Sequence, residues 1–355
     1  MNRFQVVEIT EAFNHAGTKA AADIAAVADR LGFRRVPIRM NTTEDSTWGK
    51  IRRQRGYYAD WKQAEKEIQP GSVLLLQHPF HHKQLTREKT LRAIKAKNIK
   101  IISVVHDVEE LRAFRYSDYY AREFQTMLDL ADILIVHNET MKQWFINQHI
   151  EADKLISLEI FDYLQENQPL QKPLFEKSIT IAGNLDTAKC GYLRQLGQLK
   201  NIRIHLYGPN FDEHLREAPN IEYHGSFPAD EIPGQLNRGF GLVWDGESIA
   251  GCEGQAGQYL RYNNPHKLSL YLSSGFPVIL WKGAAEAPFV ESRGMGICVD
   301  SLEELENRFK SLSESDYRKM AENAEKTGAL LRKGFYAEKA LQEAAARIEG
   351  QEARA

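Results

Sequence analysis

Short, nearly continuous apolar runs punctuate this chain: Phe4-Gln5-Val6-Val7-Glu8-Ile9, Ser72-Val73-Leu74-Leu75-Leu76, Ile101-Ile102-Ser103-Val104-Val105 and Ile133-Leu134-Ile135-Val136 in the first half, then Ser178-Ile179-Thr180-Ile181-Ala182, Ile202-Arg203-Ile204-His205-Leu206-Tyr207, Gly241-Leu242-Val243-Trp244 and Pro277-Val278-Ile279-Leu280 in the second. Runs of this length, apolar on successive residues, predict strands covered on both faces. Amphipathic stretches separate them. Ala21, Ile24, Ala25, Ala28 and Leu31, for example, share one face of a helix predicted from about Thr18 to Leu31, after a loop over residues 10–17. Val36-Pro37-Ile38 predicts a further short strand, weakened by its proline. Strand–helix alternation at this spacing predicts an α/β protein with parallel sheets. Residues 159–177 hold Asp162, Gln165, Asn167, Pro169 and Pro173 with little periodicity, so they read as a linker. The predicted organisation is a first Rossmann-like domain over 1–158, the linker 159–177, a second Rossmann-like domain over 178–335, and a C-terminal helix over 336–355 that packs back on the first. Two such domains facing one another would hold ligands in the cleft, at the carboxyl ends of their strands.

The stretch with most local information is Asn263-Asn264-Pro265-His266-Lys267-Leu268-Ser269-Leu270-Tyr271-Leu272, followed by Ser273, Ser274, Gly275 and the Pro277 strand. Asn264 suits an N-cap and Pro265 the first helical position, while Leu268, Tyr271 and Leu272 make one apolar face. Gly275 stops the helix. A helix start with a lysine in its first turn suits an anion, most often a phosphate, although any solvated helix start offers the same amides.

Composition narrows the classes. The chain has 355 residues, 43% hydrophobic and 26% charged, an ordinary balance for two globular domains. A formal net charge of −2 gives no basic field for nucleic acid. The three cysteines, Cys190, Cys252 and Cys298, lack CxxC spacing, which disfavours a disulfide framework and a structural zinc site. No signal-like segment opens the sequence and no apolar run nears the roughly 20 residues of a spanning helix, so a cytoplasmic protein is expected.

Several motifs could carry chemistry. Asn14-His15-Ala16-Gly17-Thr18-Lys19 closes the first strand but lacks GxGxxG, and no P-loop occurs, so a dinucleotide or P-loop site is not expected. His106-Asp107-Val108-Glu109-Glu110 follows an apolar strand; either His106 or Asp107 could take a proton from a sugar hydroxyl, and Asp107 could equally cap the next helix. His78, His81 and His82 lack a ligand partner at metal spacing, and no Asp-x-Asp pair is present. Ala182-Gly183-Asn184-Leu185 and Leu206-Tyr207-Gly208-Pro209 are strand ends where glycine permits close approach and Tyr207 offers a ring to stack on a base. Asp245 and Glu247 could meet ribose hydroxyls, and the polar run 246–257 reads as a mobile loop. Arg52, Arg53 and Arg55 with Tyr57, Tyr58 and Trp61 form a basic aromatic patch, either a solvated helix face or a contact for anionic lipid or a partner.

Four motifs in order, Asn14-x-x-Gly17-x-Lys19-Ala20-x-x-Asp23, His106-Asp107-x-Glu109-x-Leu111-Arg112, Ala182-Gly183-Asn184-Leu185 and Asn263-Asn264-Pro265-His266-Lys267-x-Ser269-x-Tyr271, resemble the bacterial glycosyltransferases that include the third glucosyltransferase of serine-rich adhesin glycosylation and the β-1,6-galactofuranosyltransferases. The resemblance implies a GT-B fold and transfer of a hexose, galactofuranose or glucose, from a UDP-sugar that is a substrate and not a cofactor. It implies an inverting reaction without metal. UDP contacts would fall on Gly183, Asn184, Tyr207, Asn264, His266 and Lys267, with Asn14, Gly17 and Lys19 on the acceptor or donor-sugar side. A basic residue expected soon after Gly-Asn-Leu is replaced by Asp186-Thr187-Ala188, which leaves Lys189 as the substitute. Base candidates are His106, Asp107 and Glu11. The acceptor would be a saccharide, a glycopeptide or a lipid-linked sugar, at the inner face of the membrane or free of it, with a homo-oligomer left open. Two other readings use the same features, a GT-B nucleotide-sugar 2-epimerase and a hinged sugar-binding protein.

Overall fold

The structure is a computed structural model that describes residues 1–10, 16–80, 82–113, 117–165 and 172–352. It divides into two compact units, Met1–Asn14 with Ala21–Leu158 and Ala337–Ala355, and His15–Ala20 with Glu159–Tyr336. Each is built on a six-stranded sheet in which every strand pair is parallel. Each unit is thus the α/β, parallel-sheet build that strand–helix alternation predicted.

The first unit contains β1 (Arg3–Thr10), β2 (Arg34–Met40), β3 (Val73–His78), β4 (Lys100–Val105), β5 (Ile133–Val136) and β6 (Leu155–Ser157), in the order β2-β1-β3-β4-β5-β6. Leu74, Leu75, Ile102, Ile133 and Val136 are essentially inaccessible, as strands covered on both faces require. Pro37 does not break β2, because β2 is an edge strand and Pro37 pairs with Val7 from that edge. The second unit contains β7 (Leu174–Ala182), β8 (Arg203–Tyr207), β9 (Ile221–Tyr223), β10 (Arg238–Val243), β11 (Val278–Trp281) and β12 (Gly296–Val299), in the order β12-β11-β10-β7-β8-β9. Strand order therefore reverses between β7 and β10. In open parallel sheets that reversal opens a crevice at the strands' carboxyl ends.

Several sequence expectations change. The basic aromatic patch divides: on the helix Thr47–Glu67, Tyr57 and Trp61 are 2% and 0% exposed and belong to the core, while Arg52, Arg55 and Tyr58 stay on the solvated face. Trp61 Nε1 donates to Gln84 Oε1 at 2.7 Å, and Arg53 is spent on the Glu44 carbonyl and the Asp45 carboxylate. The linker is shorter than read, since β7 starts at Leu174 and Ile160, Phe161 and Tyr163 are buried in the second unit. The run 246–257 is not an open loop. Ile249 and Cys252 are buried, Trp244 Nε1 donates to the Ser248 carbonyl, and the helix Gly254–Tyr259 closes it. Residues Ala337–Ala355 group with the first unit, where the Arg347 guanidinium donates to the carbonyls of Asp153 and Leu155. No helix among the described residues is long and apolar enough to cross a membrane.

Burial holds the imidazoles of His78 and His137, both in the first unit, down to about 3. The unfolded chain binds their protons near the ordinary histidine value of about 6.5, so stability is full above that pH and falls as pH drops towards 3. Replacing His78 with Gln should remove one group's share of the acid slope, about 1.4 kcal/mol per pH unit, in denaturant titrations between pH 6.5 and 4. An unchanged slope would contradict the buried neutral state.

Candidate functional site

The carboxyl ends of β7, β8 and β10 converge at the strand-order reversal. Register brings them together: Ala182 of β7 lies opposite Tyr207 of β8, and Thr180 opposite Gly241 of β10. Gly183 and Gly208 follow the first two strands with φ of 148° and 144°, and a Cβ on Gly208 would stand 1.7 Å from the Gly183 carbonyl oxygen. The two turns therefore pack backbone on backbone, a contact that glycine alone accommodates.

The helix His266–Ser273 is docked against these ends by Tyr271. Its ring lies where a Cβ on Gly241 would fall, 2.2 Å from the ring's Cγ, so the missing side chain on β10 is the seat for the tyrosine. Its hydroxyl accepts a hydrogen bond from the Ala182 backbone N–H at 2.8 Å. On the opposite side Ser269 Oγ donates to the Phe161 carbonyl at 2.6 Å. The helix start differs from its sequence reading by one residue. Pro265 occupies the N-cap position without a side-chain cap bond, and Asn264 instead donates its amide to the Glu159 carbonyl at 3.1 Å. Asn264 thus ties the approach to the helix rather than capping it.

Lys267 projects from the first turn to the strand ends. A side chain on Gly183 would begin 3.3 Å from Lys267 Cε. Its ammonium lies 3.2 Å from Asp245 Oδ1 and 3.4 Å from the Trp244 carbonyl, with 21% of the side chain exposed. Burial pulls the ammonium's pKa down, but the Asp245 carboxylate, together with Tyr192, Cys190 and Tyr271, pushes it up, and the balance lies well above its ordinary value. Lys267 is therefore a permanent cation at neutral pH, on the side of the unit where a ligand would enter. Asp245 is the site residue whose part the sequence reading missed; ribose contact was expected, and the pairing with Lys267 joins positions 22 apart in the chain.

The other donor-side candidates are spread around this pair. Asn184 is exposed, and its Oδ1 accepts from Asn210 Nδ2 at 2.9 Å. Lys189 is exposed and stands 3.9 Å from Asp186 across the same turn. Arg194, not singled out in the sequence, donates to Thr187 Oγ1 at 3.1 Å and adds a second cation to that turn. Tyr207 is 5% exposed and stacked on His224 at 4.6 Å, so it forms a wall of the turn and not an open platform for a base. His266 stacks on Tyr163 at 5.0 Å, and burial lowers its pKa to about 4, which keeps it neutral. Lys19 groups with the second unit, where its ammonium donates to the Leu164 carbonyl at 2.9 Å and meets Asp230 at 3.2 Å. Gly17 lies in the first turn of the helix Ala16–Arg30. Glu11 and Asn14 lie outside the described residues.

In the first unit His106 follows β4. Its Nε2 is 2.7 Å from Gln77 Oε1 on β3, which places the ring proton on Nε2 and the basic lone pair on Nδ1. Asp107 is ion-paired with Arg112, which also approaches Glu109 at 3.6 Å. Asp107 does not occupy the cap position of the helix Glu109–Arg112, since Val108 stands there without a side-chain cap bond. His78 is buried in the core, and His81 lies outside the described residues.

Comparison with known proteins gives the family. Residues 4–160 match the N-terminal domain and residues 179–344 the C-terminal domain of the glucosyltransferase 3-like family. The chain belongs to this glycosyltransferase family. The β-1,6-galactofuranosyltransferase WbbI of Escherichia coli (strain K12) is 33% identical over 249 residues, 69% of this chain and 71% of the relative. Glucosyltransferase 3 of Streptococcus gordonii is 26% identical over 341 residues, 94% of this chain and 97% of the relative. Among solved structures, Anabaena HepE in complex with UDP-glucose shares the fold with a TM-score of 0.60 at 13% identity, over 98% of this chain and 99% of that one.

Tyr271→Phe keeps the ring on Gly241 but removes the acceptor for a buried backbone N–H. It should cost about 1–3 kcal/mol in denaturant unfolding. A change near zero would mean that the bond to Ala182 does not help to hold the helix.

Proposed function

We propose that this protein transfers a hexose from a UDP-sugar to a hydroxyl of a saccharide or glycoconjugate, with inversion and with Lys267 in the charge-stabilising role that a metal fills in other transferases. The observation that carries this reading is the permanent, half-buried Lys267 cation beside Gly183 at the strand-order reversal of the second unit. As the donor's glycosidic bond breaks, negative charge gathers on the UDP diphosphate. A fixed ammonium and the first-turn amides of His266–Ser273 favour that charge more in the transition state than in the bound donor. Asp245 holds the ammonium in place before the donor arrives and shares it with the phosphate afterwards. The close-packed turns at Gly183 and Gly208 carry no side chains that would obstruct a donor at the strand ends.

His106 is the favoured base for the acceptor hydroxyl. Gln77 fixes its tautomer, whereas Asp107 is engaged by Arg112. Inversion follows when the deprotonated acceptor attacks the anomeric carbon opposite the leaving diphosphate, the proton passing to His106 Nδ1. The names of the relatives support galactofuranose or glucose as the hexose.

The test is a screen of UDP-sugars with simple glycoside acceptors, read by mass spectrometry. Lys267→Ala should lower kcat by about 10²–10³-fold. His106→Gln should lower it by about 10²–10⁴-fold with donor affinity unchanged. Full activity in either variant would overturn that residue's role. An isomerised sugar formed from donor alone would replace transfer with 2-epimerisation.

A further inference from the structure

A second cluster of chemistry lies on the edge of the second sheet, and the transfer reaction makes no use of it. His205 on β8 pairs in register with Glu222 on the edge strand β9. His224 follows two residues after Glu222, so all three side chains rise from the same face of the sheet. His205 Nδ1 stands 3.0 Å from His224 Nε2 and 3.6 Å from a Glu222 carboxylate oxygen, while His224 Nε2 is 3.8 Å from the other Glu222 oxygen.

We propose that His205, Glu222 and His224 form a binding site for a divalent transition-metal cation of the zinc class. Metal–ligand bonds of about 2.0–2.2 Å set tetrahedral ligands about 3.3–3.6 Å apart, near the 3.0 Å between the two imidazole nitrogens and the 3.6 and 3.8 Å from them to the two oxygens of the Glu222 carboxylate. A shift of a few tenths of an ångström in the partly exposed His224 ring would even out its edges. Two imidazoles and one carboxylate are ligands that suit zinc, and they leave a fourth position for water.

Three further features belong to a metal site more than to a chance hydrogen bond. Glu176 Oε1 accepts from His205 Nε2 at 3.2 Å, which fixes the tautomer that turns the Nδ1 lone pair towards Glu222 and His224. A carboxylate behind a ligating histidine is the usual outer partner in zinc sites. Glu176 is itself held by Arg203 at 3.5 Å and Arg238 at 3.6 Å, so its charge is balanced, whereas the Glu222 carboxylate has only the two imidazoles against it among these contacts. Access is graded: the His205 side chain is 1% exposed, His224 27% and Glu222 59%, which gives a buried anchor and an open side for entry. On binding, the proton shared between the two rings moves to His224 Nδ1 and the cation takes its place.

The ion would clamp the edge strand β9 to β8 and fix the His224 ring against Tyr207. Its role is structural, and the inference rests on this geometry alone, independent of the transfer reading.

The full chain, stripped with a chelator and dialysed, is titrated with Zn²⁺ by calorimetry, with thermal unfolding and Co²⁺ absorption in parallel. One saturable site per chain, a rise in Tm and the visible bands of tetrahedral Co²⁺ are expected. His224→Gln and Glu222→Gln should each weaken binding at least tenfold, and Glu176→Gln by about 10–100-fold. His214→Gln, an exposed histidine away from the cluster, should leave it unchanged. Should His224→Gln fail to fold, Glu222→Gln decides, because its side chain is mostly exposed. No saturable binding by the wild-type chain, or binding that Glu222→Gln leaves intact, overturns the proposal.

Discussion

The pairing of Lys267 with Asp245 is the interaction on which the second unit's site depends. A lysine brought this far out of water loses hydration, and without a carboxylate beside it the ammonium would tend to give up its proton. Asp245, just past β10, is the foremost of the groups that keep the proton on. The pair can form only because the helix His266–Ser273 is fixed in position, with Tyr271 seated on Gly241 and bonded to the backbone of Ala182. Sheet register, a missing Cβ and one tyrosine hydroxyl thus set where a positive charge stands. The charge in turn sets what the crevice can receive.

Much of the scaffold was legible because strands covered on both faces leave contiguous apolar runs, and those of β3, β4, β5, β8 and β11 all coincide with observed strands. The family was legible as well, from four short motifs in order. Reading failed where a residue's partner is distant in sequence. Tyr57 and Trp61 looked like a surface patch because the face they share is decided by Gln84 and the strands beneath, not by their arginine neighbours. Asn264 looked like a cap, but the Glu159 carbonyl draws its amide away from the helix. The loop after Trp244 looked mobile because its small polar residues conceal two anchors, Ile249 and Cys252.

The candidate site shows the same division. Lys267 and the glycines at 183 and 208 were evident from local chemistry, as a lysine in a first helical turn and as glycines at strand ends. Asp245 as the lysine's partner was not, since nothing local links the two. His205, Glu222 and His224 were invisible as a group for a further reason. Their convergence depends on the pairing of β8 with β9, and their spacing matches no linear metal motif. In the first unit, Gln77 on one strand fixes the tautomer of His106 after the next, again through register.

The most direct measurement of the central claim separates the phosphates from the rest of the donor. Calorimetry would give the affinity of UDP and of uridine for the wild-type chain and for Lys267→Ala. If Lys267 receives the diphosphate, UDP binds the wild-type chain more tightly than uridine does, and Lys267→Ala closes most of that gap while uridine binding is unchanged. A gap that persists in the variant would contradict the account.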